Sequence, residues 1–416
     1  MSKLLIKGGK RLCGELYVQG AKNAALPILA ATVLCRGKNI IHNCPNLSDV
    51  DAAIKILKHL GCKVEKENAT LIIDSENITA FDIPDTLMRE MRSSIIFLAS
   101  ILARTGKAVL CAPGGCELGP RPIDIHITAL RALGCGIEED HGSLNCSTKG
   151  FLSGCEITLP LPSVGATENA IIAACLANGK TIIRNAAREP EITDLISFLN
   201  KAGARITEFG GTIEIEGVKE LNGAEHTVMP DRIVASTYLS AVAITSGEML
   251  LKNINSQWIL PVVDSFKQSG CEIKAEGNML YINAPATLNN INIIKTHYYP
   301  GFPTDAAPTT LAMLTVAKGT SIVVENIFEN RFKYIDELKR LGANIRVEGK
   351  VAIVSGVKNL WGNKVYCTDL RGGAALVVAA LAAKGKTEIS KLHHIERGYE
   401  NLEENLFKLG ADIKRI

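Results

Sequence analysis

The chain repeats itself six times. "LGC" at Gly61 and Gly134, "AGA" at Gly203, "SGC" at Gly270 and "LGA" at Gly342 and Gly410 recur about every 70 residues along a 416-residue sequence. A unit that returns at fixed spacing folds as one supersecondary element and buries its apolar face against its neighbours, so no other feature constrains the fold as much. Each of these glycines ends an amphipathic helical pattern such as "YIDELKRLG" and reads as a helix C-terminus leading into a strand. A second series, Gly37, Gly106, Gly179, Gly247, Gly319 and Gly385, ends a more apolar helix such as "TLAMLTVAKG" and precedes a strand such as "TSIVVEN". Each unit therefore reads helix, strand, helix, strand, strand.

The sixth copy stops at "GADIKRI" without a closing strand, whereas the N-terminal "KLLIKGG" is a strand with no helix before it. The N-terminal strand is therefore expected to complete the sixth repeat. Two groups of three follow: residues 22–229 form one domain, and residues 1–21 with 230–416 form the second, the chain crossing at "VMPDR". A chain of this length exceeds one ordinary core. With 47% hydrophobic residues and only 5% aromatic ones, the composition points to cores of Ala, Ile, Leu and Val, which suits an α/β or an all-helical globule; the strands in each repeat make α/β the expected class.

Aligned on their glycines, the repeats show where chemistry collects. Fourteen or fifteen residues before the first-helix glycine lie Lys22, Arg92, Gly165, Arg232, Asp305 and Arg371. Arg121, Arg188, Arg331 and Arg397 stand near the start of the other helix. Cations at helix N-termini oppose the helix dipole, so the series points to anion sites built from backbone N–H groups and side-chain charge. Pairing with neighbouring acids, as in "REPE" and "ERGYE", is the plainer alternative for any one arginine. Taken alone, Asp305 in "FPTDAAP" reads first as a helix N-cap, and His126 in "IDIHITALRALG" reads as a packed residue.

The spacing between the paired glycines is 23 to 25 residues in five copies but 28 in the second. The surplus is the stretch "APGGCELGPRP", which carries Cys116 and, five residues on, Arg121. A thiol on such an insertion can serve as a nucleophile or proton donor, with the arginine stabilising anions; an incidental surface cysteine is the alternative. The other cysteines are scattered without CxxC pairs, and most fall in apolar context, as small buried side chains do. A net charge of +3 without a basic block offers no nucleic-acid surface. The longest apolar runs, such as "AALVVAALAA", are short of a membrane span, and no signal peptide opens the chain, so a cytoplasmic protein is expected. No metal-ligand spacing or nucleotide-phosphate loop is present in the sequence, and no cofactor is expected.

"GAKNAALPILAATVL", "MRSSIIFLA", "GGCELGPRPIDIHI", "PSVGATEN", "NAAREPEI", "GFPTD", "FENRF", "TDLRGGAAL" and "HIERGYE" together resemble the bacterial UDP-N-acetylglucosamine enolpyruvyl transferases over nearly the whole chain. The resemblance implies two inside-out α/β barrel domains, each of three repeats, with the active site in the cleft between them and the Cys116 loop closing over it. It implies transfer of the enolpyruvyl group of phosphoenolpyruvate to the 3-hydroxyl of UDP-N-acetylglucosamine, with release of phosphate, as the first committed step of peptidoglycan synthesis. It further implies Cys116 as general acid and the site alkylated by an epoxide such as fosfomycin, Asp305 as base, and Asp369 assisting. Lys22, Arg121 and Arg397 would hold the phosphoenolpyruvate phosphate, with Arg331 and Arg371 nearer its carboxylate and Asn23 also in the phosphoenolpyruvate site. Asn23, Arg92, Arg121, Pro122, Ile123, Asp124, Ile125, Ser163, Val164, Gly165, Asp305 and the backbone of Ile327 would hold the nucleotide sugar.

The sequence departs from the family pattern at Leu161 and Pro162, at Val234 and Ser236, and at Ala306 to Pro308. Two rivals follow: a transferase acting on shikimate 3-phosphate, whose relatives do not need the cysteine loop, and a catalytically weak paralogue that binds the nucleotide sugar.

Overall fold

The computed structural model describes residues 2–111 and 123–416, with the Arg92 side chain outside that description. The chain divides into two compact units, one of residues 2–19 and 230–416, the other of the described residues from 20 to 229. In the first unit the helices Arg232–Ile244, Ala307–Leu314 and Leu370–Ala382 pack on one another and on three four-stranded sheets. Every residue of the first two helices is buried: apart from Arg232 and Tyr238, "RIVASTYLSAVAI" and "APTTLAML" hold apolar residues and Ser or Thr, whose hydroxyls bond back to carbonyls three or four residues before them. The second unit repeats the plan, with Lys22–Ala31, Phe97–Thr105 and Val164–Ala174 as inner helices.

The glycines at the helix ends do what their positions demand. Gly61, Gly134, Gly203, Gly270, Gly342 and Gly410 all have φ between 91° and 106°, the left-handed conformation a side chain resists. Gly247 differs: Ser246 takes the positive φ of 52°, and a Cβ on Gly247 would stand 2.2 Å from the Leu12 carbonyl oxygen. There the requirement is close approach of two backbones.

Helix, strand, helix, strand, strand leaves one element out. Each four-stranded sheet also holds a short edge strand running parallel to its neighbour: Asp82–Ile83, Glu156–Thr158, Glu225–Thr227, Cys13–Tyr17, Ile293–Lys295 and Lys364–Tyr366. Most span two or three residues, too few for an alternating pattern to register. Two are supplied from far along the chain. Glu225–Thr227 pairs with Ile40 to His42, and Cys13–Tyr17 pairs with Glu248 to Lys252. The strand Leu4–Lys7 lies between Lys386–Ser390 and Asp412–Arg415, antiparallel to both.

Candidate active site

In the unit ending at Ile416, Asp305 sits just before the helix Ala307–Leu314 but does not cap it; the N-cap is Ala306, without a side-chain bond. The capping alternative for Asp305 is thereby excluded. Its carboxylate instead pairs with Arg331, and its Oδ2 lies 3.6 Å from Arg371 Nη2. Asp305 keeps 28% of its side-chain surface exposed, whereas the two arginines keep 2% and 3%. A half-open carboxylate thus covers two buried cations.

Each arginine is held from behind. Arg331 donates from Nη2 and Nε to the Thr304 carbonyl at 2.8 and 3.3 Å, and its guanidinium lies 5.4 Å from the Phe328 ring centroid. Arg371 lies 5.4 Å from the ring centroid of Tyr399, whose hydroxyl is 2.8 Å from Thr237 Oγ1. Burial opposes the charge on Arg371, but Tyr399, Asp305 and Asp231 outweigh it and raise its pKa above the ordinary arginine value. The Tyr399 hydroxyl contacts this guanidinium, whose buried Nε and Nη1 make no hydrogen bond of good geometry among the described residues. Unmet donors on a buried guanidinium suit an anionic oxygen ligand.

Sequence reasoning passed over the support for this cluster. Glu325, 1% exposed, accepts the backbone N–H groups of Ile327 and Phe328 at 2.8 and 3.0 Å and the Thr304 hydroxyl at 2.9 Å. What Ile327 can offer a ligand is therefore its carbonyl, since its N–H is engaged. The available signal was an acidic residue closing the apolar run "TSIVVEN".

Asp369 caps the helix Leu370–Ala382, its Oδ1 accepting from the N–H of Arg371 at 3.0 Å and of Gly372 at 2.9 Å. Its Oδ2 accepts from the Thr368 hydroxyl at 3.1 Å. Asp369→Ala is expected to lower unfolding stability by about 1–2 kcal/mol through the lost cap, read as a shifted urea midpoint; a midpoint unchanged from the native one would contradict the capping role. Arg397 ends the turn Leu392–Arg397 rather than opening the helix that follows, which begins at Leu402.

In the other unit, Lys22 opens its helix almost fully buried, with Nζ 3.1 Å from Asp49 Oδ2. Asn23 follows it, half-buried. Ser163 caps the helix begun by Val164 and Gly165. Ile123 precedes the helix Asp124–Ala132, on which Asp124 is exposed and Ile125 half-buried. His126 is buried, in keeping with a packed residue, and its Nδ1 lies 2.7 Å from Asn169 Nδ2. Arg92 opens the short 3₁₀ turn Arg92–Ile96. Cys116, Arg121 and Pro122 lie outside the described residues. Among the described residues no group of His, Cys, Asp and Glu could hold a metal ion, and no helix is long and apolar enough to cross a membrane.

Glu168, buried on the helix Val164–Ala174, has its carboxyl pushed well above the usual range, first by burial and then by Glu191 and Glu189. The folded chain thus retains a proton that the unfolded chain loses near pH 4.3, so this contribution is complete below that pH and is lost as pH rises toward the raised value. Glu168→Gln is expected to raise the urea midpoint relative to the native protein at pH 8 and to leave it unchanged at pH 4. An equal gain at both pH values would exclude the titration as its cause.

The model of the EPSP synthase (3-phosphoshikimate 1-carboxyvinyltransferase) family matches residues 6–406. The chain is 52% identical to "UDP-N-acetylglucosamine 1-carboxyvinyltransferase 2" of Caldanaerobacter subterraneus subsp. tengcongensis over 418 aligned residues, covering 100% of both chains. It is 46% identical to "UDP-N-acetylglucosamine 1-carboxyvinyltransferase" of Geobacter metallireducens, again over 100% of both. Among solved structures, the enolpyruvyl transferase NikO from Streptomyces tendae superposes with a TM-score of 0.91 at 24% identity, covering 100% of this chain and 98% of that one. EPSP synthase from Acinetobacter baumannii superposes with a TM-score of 0.79 at 18% identity, covering 100% of both. At these identities the two structures speak for the fold alone.

Proposed function

Since the chain belongs to the EPSP synthase family, and within it to the UDP-N-acetylglucosamine 1-carboxyvinyltransferases, we propose that it moves the enolpyruvyl group of phosphoenolpyruvate onto the 3-hydroxyl of UDP-N-acetylglucosamine and releases phosphate. The observation that carries this is the 52% identity along the full length of both chains to a relative of that name. A role in peptidoglycan synthesis follows from the product, and a cytoplasmic location from the substrates.

The reaction adds a proton to the methylene carbon of phosphoenolpyruvate while the sugar oxygen bonds to its neighbouring carbon. The tetrahedral ketal then loses a proton from the new methyl group, and phosphate leaves with the electron pair of its C–O bond. Cys116 is the proposed acid and the site at which fosfomycin would alkylate. Asp305 is the proposed base toward the sugar hydroxyl, with Asp369 assisting. Lys22, Arg121 and Arg397 would take the phosphate, with Asn23 also at the phosphoenolpyruvate site; Arg92, Arg121 to Ile125, Ser163 to Gly165 and the Ile327 backbone, with Asn23 and Asp305, would take the nucleotide sugar.

The pairing of Asp305 supports this assignment in a specific way. Asp305 pairs with Arg331 and lies 3.6 Å from Arg371, so its carboxylate occupies the face of both guanidinium groups. The carboxylate of phosphoenolpyruvate would compete for the same guanidinium groups, and Arg371 has donors to spare. Substrate binding would then release Asp305 to accept a proton.

Phosphate release from phosphoenolpyruvate, measured with UDP-N-acetylglucosamine and, separately, with shikimate 3-phosphate, tests the proposal. Turnover with the nucleotide sugar only is expected. Turnover with shikimate 3-phosphate only would reverse the acceptor. Thermal stabilisation by the nucleotide sugar without turnover would favour a paralogue that only binds.

A further inference from the structure

Three segments that carry the candidate nucleotide-sugar residues meet at one buried amide. The side chain of Asn169, 0% exposed, donates from Nδ2 to the Ile95 carbonyl at 3.2 Å and lies 2.7 Å from His126 Nδ1. Ile95 belongs to the turn begun by Arg92, His126 to the helix begun by Asp124, and Asn169 to the helix begun by Val164 and Gly165.

The chemistry of the amide fixes its direction. With Nδ2 toward both neighbours its two hydrogens are both used, while Oδ1 is buried without a partner among the described residues; the reversed amide would set its oxygen against the Ile95 carbonyl and lose that bond. Nδ1 of His126 must then accept, which puts the ring proton on Nε2. Burial lowers the imidazolium pKa to about 4 against a small opposing effect of Asp124, so the ring is neutral at physiological pH. The same ring packs on the first turn of the Val164–Ala174 helix. A Cβ at position 165 would stand 2.9 Å from His126 Cε1 and 3.2 Å from Nε2, so only glycine lets this helix start approach the imidazole without displacing it.

We infer that His126 and Asn169 form a positioning pair which holds Arg92, Asp124–Ile125 and Ser163–Gly165 in register for the nucleotide sugar, without belonging to the groups that react. The inference rests on the transferase reading above. Its prediction is selective: loosening the pair misaligns the acceptor's binding segments, none of which is assigned to the phosphoenolpyruvate carboxylate.

The test is steady-state kinetics of the full chain with each substrate varied in turn. The variants are His126→Leu, Asn169→Leu and His126→Asn, the last keeping an acceptor where Nδ1 stands. Both leucine variants are expected to raise KM for UDP-N-acetylglucosamine about tenfold, the effect of one lost buried hydrogen bond, with KM for phosphoenolpyruvate within about twofold of native. His126→Asn should recover most of the loss. An unmoved acceptor KM in both leucine variants, or both KM values rising together, would overturn the inference, as would His126→Asn matching His126→Leu. A native protein inactive on the nucleotide sugar would instead remove the transferase reading from which the inference starts. Should the leucine variants not fold, nitrogen-15 NMR of the native histidines decides: His126 protonated on Nε2 supports the pair, and protonation on Nδ1 overturns it.

Discussion

Asp305→Asn is expected to lower kcat for enolpyruvyl transfer by about 10²–10⁴-fold, the range typical of a lost general base. The amide is nearly the same size and can still accept a hydrogen bond from Arg331, but it cannot take a proton from the sugar hydroxyl. Its NH₂ group would also face Arg371, donor against donor. Because the carboxylate is a negative charge set against two buried guanidinium groups, Asp305→Ala should in addition destabilise the unit, and the asparagine variant is the cleaner probe. Initial rates of phosphate release at saturating substrates, beside a thermal melt showing that the variant is folded, make the measurement. A folded asparagine variant with kcat within tenfold of native would remove Asp305 as the base.

Cys116→Ser is expected to produce a loss of similar size, about 10²–10⁴-fold, because a serine hydroxyl holds its proton far too tightly to protonate carbon. Cys116→Asp should retain more activity, since a carboxyl group can act as an acid in the same place. The pH dependence separates the two cases. A thiol with the reference pKa near 8.5 is protonated at pH 7, whereas an aspartate near 3.9 is protonated in only about one molecule in a thousand. The aspartate variant should therefore gain rate about tenfold for each unit that pH falls from 7 toward 5, while the native enzyme shows no such gain. Full activity in the serine variant would return Cys116 to the incidental surface cysteine of the alternative reading. The same rate series also shows whether the thiol matters for chemistry or for loop structure alone, because a structural role would not respond to pH in this way.

The positions that proved readable in the sequence are those whose demands are local. A helix that ends in the left-handed conformation requires glycine whatever surrounds it, and so all six glycines of one series could be placed as helix ends from their spacing. Lys22 and Arg232 likewise open their helices where the repeat alignment puts them, because capping and helix initiation depend on a few consecutive residues. The edge strands escaped notice for the converse reason. Asp82–Ile83 is two residues long and owes its conformation to the strand beside it.

The candidate site divides along the same line. That arginines and an aspartate recur at helix starts was visible in the residues themselves, and so was the resemblance that assigns the reaction. Which acid meets which base was not. Arg331 and Arg371 reach Asp305 from 26 and 66 positions along the chain, Asn169 reaches Ile95 across 74, and no local pattern ties these residues together. The repeat, the helix ends and the stock of ionisable groups are written in short-range sterics and composition, and so are legible residue by residue. Long-range packing sets Asp305 against two buried cations instead of at a helix cap, and ties His126 to Asn169. Burial makes such partnerships obligatory, since a charge or a polar hydrogen removed from water has to find its partner wherever the packing brings one.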